Sequence, residues 1–377
     1  MSRIRCERGI SYDEERKVYY LYSELGRDAN GKRLRRYSTH PTISAARKAR
    51  DAYLLEKEQA KAVPPTKRTL DHWLEEWMKE IIIPNRAETT VYGYQKIIQN
   101  HLSPALGNIP LQKLSSKELQ HYYAELMNQK GLCANTVRRH HDLLSAALHS
   151  AMRQELIFRC PTDLVEPPRV IQQETRYYTA DSLKKLYESV QGHWLEPVVH
   201  LAGSLGLRRE EICGLRWDSV DFQLRKIHIR AARTAAGAKI IDKETKNRSS
   251  ARVLHMGDDI YHLLRQERRR QNERKLAMGP AWPDSGYTAV NKNGVPLSPN
   301  GLSVAFTRFI QAKQLPPLTL HGLRHTFATI ASAQGAPLFD IGKALGHSTP
   351  ATTGKIYTHL VDQLHTETLA KVAAALQ

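Results

Sequence analysis

Gly203-Ser-Leu-Gly-Leu-Arg-Arg-Glu-Glu-Ile-Cys-Gly-Leu-Arg-Trp217 decides how this chain is read. Arg208 follows a glycine between two apolar runs, at the expected start of a helix over 209–215. An arginine there can present its planar fork to a phosphate, beside the N–H groups that a helix start leaves unpaired. The plainer alternative is an ion pair with Glu210 or Glu211, which suits Arg209 better than Arg208. Around this stretch, helices are expected over 180–191, 195–205 and 258–278, and from 299 onward. Strands are expected over 220–229 and 252–256.

A second stretch is His321-Gly-Leu-Arg-His-Thr-Phe-Ala-Thr329. His321 and Arg324 are three apart, so on a helix they share a face. That pair suits a phosphate whose attacking group must lose a proton. His321 and His325 also have the i, i+4 spacing of two zinc ligands. The general-base Glu of HExxH and a clear third ligand are missing, so no metal site is expected. A third stretch is Leu345-Gly-His-Ser-Thr-Pro-Ala-Thr-Thr-Gly-Lys-Ile-Tyr-Thr-His359, with His347 after a Leu-Gly break and Tyr357 ten residues later. Alone, Tyr357 would read as a half-buried structural tyrosine. Lys246 lies in the turn-like Lys243-Glu-Thr-Lys-Asn-Arg-Ser-Ser-Ala-Arg252 between two expected strands. Alone, that is a charged hairpin tip.

In this order, Arg208, Lys246, His321-x-x-Arg324, His347 and Tyr357 resemble the active-site series of the tyrosine recombinase (phage integrase) family. The motifs GLRREEICGLRW, HGLRHTFAT and LGHSTPATTGKIYTH carry the likeness, which extends over nearly the whole chain. The resemblance implies three domains: an arm-type DNA-binding domain over 1–63, a helical core-binding (SAM-like) domain over 67–165 and a catalytic domain over 172–377. The fold class expected is mainly α with small β elements, an α+β chain. A small three-stranded sheet plus helix comes first, then a helical domain, then a mixed α/β domain.

The residues read consistently along the way. Two Pro-containing polar stretches, 61–68 and 166–175, are expected linkers. Strand-type residues over 17–22 and 32–38 flank the turn residues Asp28-Ala-Asn-Gly31, and 42–61 reads as one helix. Arg33, Arg35 and Arg36 on the hairpin are candidate DNA contacts, weighed against a solvated hairpin. Leu70, Trp73, Leu74, Trp77 and Met78 fall at helical spacing. Further helices are expected over 89–102, ended by Ser-Pro, over 115–130, opened by a capping box, and over 135–153. Val137, Leu144, Ala147 and Leu148 form an expected core stripe. The run Arg138-Arg139-His140-His141 is a candidate backbone contact, or else a solvated face.

Composition narrows the partner. Lys and Arg total 56 against 38 Asp and Glu, a net charge of 56 − 38 = +18. The charge points to a polyanion, most often nucleic acid. No apolar run approaches the ~20 residues that span a bilayer, so no membrane partner is expected. The opening MSRIRCERGISYDEE has no apolar stretch after its positive residues, so it does not read as a secretory signal. Cys6, Cys133, Cys160 and Cys213 form no CxxC pair, which argues against zinc and a disulfide framework. A reducing cytoplasm and small buried thiols are expected.

The chemistry explains the residue types. Arg208 and Arg324 can clamp the non-bridging oxygens of a phosphodiester as charge builds on them. By resemblance, Tyr357 is the nucleophile, His321 the base-side residue, His347 a hydrogen-bonding partner and Lys246 the acid, with Lys243 its rival. The family implies a 3′-phosphotyrosyl link and no cofactor. It also implies double-stranded attachment-site DNA and a homotetramer on it. An excision factor or a host DNA-bending protein is a further partner it admits. A tail helix over 360–377, packed on a neighbouring protomer, is also implied. The competing readings are a type IB topoisomerase-like relaxing enzyme and a catalytically idle DNA-binding protein.

Overall fold

In the computed structural model, residues 3–27, 33–62, 66–170, 176–244 and 251–346 are described; residues 3, 23–27, 33–36, 56–62 and 244 are described in backbone only. The chain divides into two compact units, Met1–Ile171 and Gln172–Gln377.

The first unit opens with an antiparallel sheet in the order β1-β2-β3-β4. Its strands are β1 (Arg3–Glu7), β2 (Ile10–Asp13), β3 (Val18–Arg27) and β4 (Arg33–His40). The expected three strands are thus four. Arg-Ile-Arg-Cys-Glu carries too many charges to read as a strand, and only its register with β2 reveals it. Helix α1 (Ile43–Ala62) follows, and Ile10, Leu21 and Ala46 close a small core of their own.

A separate, larger core lies in the helical part of this unit. It begins with α2 (Leu70–Trp77), capped by Thr69 Oγ1, which accepts the His72 N–H. Leu70, Trp73, Leu74, Trp77 and Met78 are all buried, as their spacing requires. Trp73 Nε1 donates to Ala147 O at 3.0 Å, tying α2 to a helix 74 residues further along the chain.

Two prolines show how this chain keeps helices running. The π-helical turn Met78–Ile82 precedes α3 (Ile83–Asn85), which contains Pro84. A second, Ile98–Leu102, joins α4 (Glu88–Ile97) to α5 (Ser103–Leu106), which contains Pro104. Ile83 N–H donates to Met78 O, and Ser103 N–H to Ile98 O. The wider turn relieves the clash between a proline ring and the carbonyl four residues back. The expected helix end at Ser103-Pro104 is therefore a continuation to Leu106.

Helix α6 (Ser116–Asn128) has the expected capping box, Ser115 with Glu118. Helix α7 (Ala134–Arg153) buries Val137, Leu144, Ala147 and Leu148.

The second unit is built on a large core, with a smaller cluster of Ala328, Ile341 and Leu345 beside it. Helices α8 (Ala180–Val190), α9 (Glu196–Leu205) and α10 (Arg209–Gly214) come first. The expected single strand over 220–229 is two, β5 (Val220–Asp221) and β6 (Lys226–Ile229). Asp221 Oδ1 accepts the N–H groups of Gln223 at 2.9 Å and Leu224 at 2.8 Å, and this side-chain turn breaks the run. The hairpin β7 (Ala231–Ala236) and β8 (Lys239–Glu244) was not legible in the sequence, because Ala-Ala-Arg-Thr-Ala-Ala lacks strand-forming side chains. Strand β9 (Arg252–His255) joins β5 and β6 in a three-stranded sheet. Among the described residues four helices follow: α11 (Asp258–Met278), α12 (Pro299–Ala312), α13 (Leu320–Ala333) and α14 (Leu338–Leu345). Among the described helices none is long and apolar enough to cross a membrane. Cys160 and Cys213 are buried as expected; Cys6 and Cys133 are exposed instead, one on a short strand and one at the start of α7.

Candidate active site

The site starts at a chain reversal. Helix α9 ends at Gly206, whose φ of +65° lies in the left-handed region. A Cβ there would stand 2.6 Å from Leu345 Cδ2 and 2.8 Å from Phe327 Cδ1, so glycine is required for space as well as for φ. Leu207 is then buried and Arg208 becomes the residue that caps α10.

Arg208 is engaged by Glu211. Its Nη1 lies 2.7 Å from Glu211 Oε1, its own N–H donates to Oε2 at 2.8 Å, and Nη2 donates to Gly346 O at 3.1 Å. The ion pair weighed as the plainer reading therefore exists at Arg208 as well as at Arg209, which binds Glu210. Glu211 is 3% exposed. Its burial alone would raise its pKa, but hydrogen bonds and charge from Arg252 and Arg208 hold it below the ordinary carboxylate value.

Arg324 sits on α13 at 2% exposure. It donates from Nη1 to Gly206 O and from Nη2 to Leu345 O, both at 2.7 Å. One turn earlier on the same helix is His321, as its spacing predicts. Although His321 is at an exposed position, its pKa is lowered. Partial desolvation by the surrounding protein contributes most, then the charges of Arg324, Arg208 and Arg209, against Glu210. Three cations around one ring all disfavour a fourth charge on it. A ring kept neutral can accept a proton. His325 packs edge-on against His321 at 4.8 Å between ring centroids and is itself buried, as a core residue of α13.

The structure thus brings Arg208 and Arg324 together at the C-terminal end of α14, with His321 near enough for the charge of both to act on it. Gly346 closes that helix at φ +67°, and the chain continues to His347. Lys246, His347, Tyr357 and the tail over 360–377 lie outside the described residues, as does Lys243's neighbour segment 245–250. Lys246 falls between β8 and β9, as expected from the sequence. The hairpin leading to it leans on α10. A Cβ on Gly214 would stand 2.9 Å from Ala232 Cα and from Arg233 N.

Two further side chains organise these arginines: Glu211, weighed in the sequence only as an ion-pair partner, and Arg252, which sequence reading gave no part in the site. A glutamate three residues beyond a helix-opening arginine was the available signal for the first. Nothing local signals Arg252, which meets Glu211 across 41 positions.

The other candidate contacts divide. Arg33, Arg35 and Arg36 lie on β4, described in backbone only. Arg138 pairs with Asp142 one turn along α7 at 3.2 Å, and Arg139 is exposed. His140 and His141 are buried instead of facing solvent. They pair through Nδ1 with the hydroxyls of Tyr122 at 2.8 Å and Tyr123 at 3.1 Å. Half of that basic run is core, because both histidines fall on the inward stripe of α7. Burial pushes the His140 pKa down to about 4.

Two family models match the chain. The phage integrase family model matches residues 176–363, and the phage integrase N-terminal SAM-like domain model matches 69–127. A tyrosine recombinase XerC-like protein of Caldanaerobacter subterraneus subsp. tengcongensis is 26% identical, over 94% of this chain and 96% of that protein. The ICEBs1 integrase of Bacillus subtilis is 25% identical, over 71% of this chain and 73% of its own length. Among solved structures, the Tn1549 transposon integrase in complex with transposon right end DNA matches at a TM-score of 0.68. Its identity is 22%, over 80% of this chain and 99% of that one. A lambda integrase dimer bound to a COC′ core site matches at 0.59 and 18% identity, over 94% and 96% of the two chains. These last two likenesses are of fold. With both family models matching in chain order, and with relatives named integrase or tyrosine recombinase, the chain belongs to the phage integrase family, the tyrosine recombinases, and is a DNA breaking and rejoining enzyme.

Proposed function

We propose that this enzyme integrates or excises a mobile element through a 3′-phosphotyrosyl intermediate, with Tyr357 as the nucleophile. The observation that carries the reading is the convergence of Arg208 and Arg324 on the end of α14, eleven to twelve positions before Tyr357 in the sequence. Two guanidiniums fixed in a partly buried setting, beside a histidine kept neutral, suit a phosphodiester gaining negative charge.

The step balances without a cofactor. The Tyr357 oxygen forms a bond to phosphorus, and the P–O5′ bond breaks. The phenol proton leaves toward the His321 side, and Lys246 protonates the departing 5′ oxygen. The phosphodiester energy stays in the tyrosyl link, so the free 5′ hydroxyl of either duplex can reverse the step. His347 completes the hydrogen bonding to the phosphate. Residues 172–377 are the catalytic domain, 67–165 the core-binding domain and 1–63 the arm-binding domain, with Arg33, Arg35, Arg36, Arg138 and Arg139 as candidate DNA contacts. The net charge of +18 supports a duplex partner. A similar solved structure, a lambda integrase tetramer bound to a Holliday junction, supports a homotetramer here.

The test is a nicked suicide substrate carrying an attachment site. The parent enzyme should accumulate a covalent protein–DNA adduct, and Tyr357→Phe should form none. A Tyr357→Phe protein that still forms the adduct overturns the assignment.

A further inference from the structure

Three guanidiniums grip three successive carbonyls at the end of α14. Arg252 Nε donates to Ala344 O at 2.6 Å, Arg324 Nη2 to Leu345 O at 2.7 Å and Arg208 Nη2 to Gly346 O at 3.1 Å. The last carbonyls of a helix lack partners within it and carry its negative end, so cations there are doubly favoured. Two of the three arginines are assigned to the phosphate. Arg252 differs from them. Its side chain is 6% exposed, and its fork is spent on Glu211, with Nη1 to Oε1 and Nη2 to Oε2 both at 2.9 Å.

We propose that Arg252 is a positioning residue that ties the phosphate clamp to the C-terminal end of α14, the helix that His347 and Tyr357 follow in the sequence. The inference rests on the active-site reading given above. Arg252 spans three elements: it starts β9, it holds the carboxylate that presents Arg208 at the start of α10, and it caps the end of α14. Both oxygens of Glu211 are shared: Oε1 accepts from Nη1 of Arg208 and Nη1 of Arg252, and Oε2 from the Arg208 N–H and Nη2 of Arg252. Loss of Arg252 therefore frees Glu211 to turn wholly toward Arg208 and releases the Ala344 carbonyl. Both changes shift the clamp relative to the chain that leads to the nucleophile. A lysine cannot replace Arg252. It keeps the charge but has neither the two-pronged fork nor the Nε donor set at an angle to it. A shift of about an ångström at such a site is enough to slow chemistry by roughly a hundredfold while the DNA surface stays intact.

The experiment compares the full-length parent, Arg252→Lys and Glu211→Gln at a temperature where circular dichroism shows each folded. DNA affinity is read by fluorescence anisotropy on an intact attachment site, and the single-turnover cleavage rate on the nicked substrate at saturating protein. Arg252→Lys should bind within about twofold of the parent and cleave at least about tenfold more slowly, a loss confined to the chemical step. Glu211→Gln should show the same split. It serves alone if Arg252→Lys does not fold. The double variant should be no slower than the slower single one, because both act through one linkage. Cleavage by Arg252→Lys within twofold of the parent overturns the proposal. So do losses of binding and rate in equal proportion, which mark a merely structural role. A parent that forms no adduct overturns the active-site reading instead, so the two failures are distinct.

Discussion

Arg324 donates a 2.7 Å hydrogen bond to the backbone oxygen of Gly206, joining the N-terminal part of α13 to the turn that sets Arg208. The bond makes the two arginines one unit. Arg324 holds the carbonyl at the left-handed turn, and the turn in turn aims the start of α10.

Arg324→Lys removes that bond or the one to Leu345 O, since a single ammonium cannot reach both in the fork's geometry. The variant should cleave the nicked substrate about a hundredfold to a thousandfold more slowly, the usual loss for a donor to developing charge. Single-turnover kinetics check this. Cleavage within tenfold of the parent would remove Arg324 from the clamp.

Gly206→Ala places a methyl against Leu345 and Phe327 in a backbone conformation that costs an alanine roughly 1–2 kcal/mol before any clash. The clash adds about as much again. Thermal denaturation should show the loss, and slower cleavage should accompany it, because the turn and the end of α14 move together. An unchanged melting temperature would contradict this packing.

The lowered pKa of His321 fixes a pH dependence. The ring is neutral until pH falls below its lowered value. The acid limb of the cleavage-rate profile should therefore have a midpoint below 6.5, the ordinary histidine value. His321→Gln should flatten that limb. A midpoint at or above 6.5 in the parent would show that the cations around His321 do not act on it as described.

Stability should have its own acid limb in the helical core of the first unit. His140 is buried neutral against Tyr122, with a pKa of about 4 against 6.5 for an ordinary histidine. Between those values the unfolded chain binds the proton and the folded one does not. Stability is thus full above pH 6.5 and declines toward pH 4, by at most about 3 kcal/mol for this one group. Hydrogen exchange along α7 at pH 7 and pH 5 measures it. Equal protection at both, or a His140→Leu variant that keeps the same slope, would contradict the assignment.

Much of this was legible in the sequence, for a physical reason. His321 and Arg324 share a face because they are one turn apart, and Arg208 follows a glycine that must adopt positive φ. Such local rules can be read from spacing alone. Helix α8 was equally clear, because its apolar periodicity is strong, whereas the helices after residue 299 were expected only as a group. What stayed hidden depends on partners distant in sequence. Strand β1 exists only through its register with β2, and β7 only through its register with β8. His140 and His141 read as basic until Tyr122 and Tyr123 are seen beside them. Arg252 read as the first residue of a strand; its bonds to Glu211 and Ala344 make it part of the site.

The most direct measurement is mass-spectrometric mapping of the trapped protein–DNA adduct after trypsin and nuclease digestion. The nucleotide mass should lie on the peptide 356–371, localised to Tyr357 by fragmentation. A nucleotide attached to any other residue, or an adduct through the 5′ rather than the 3′ phosphate, would contradict the account.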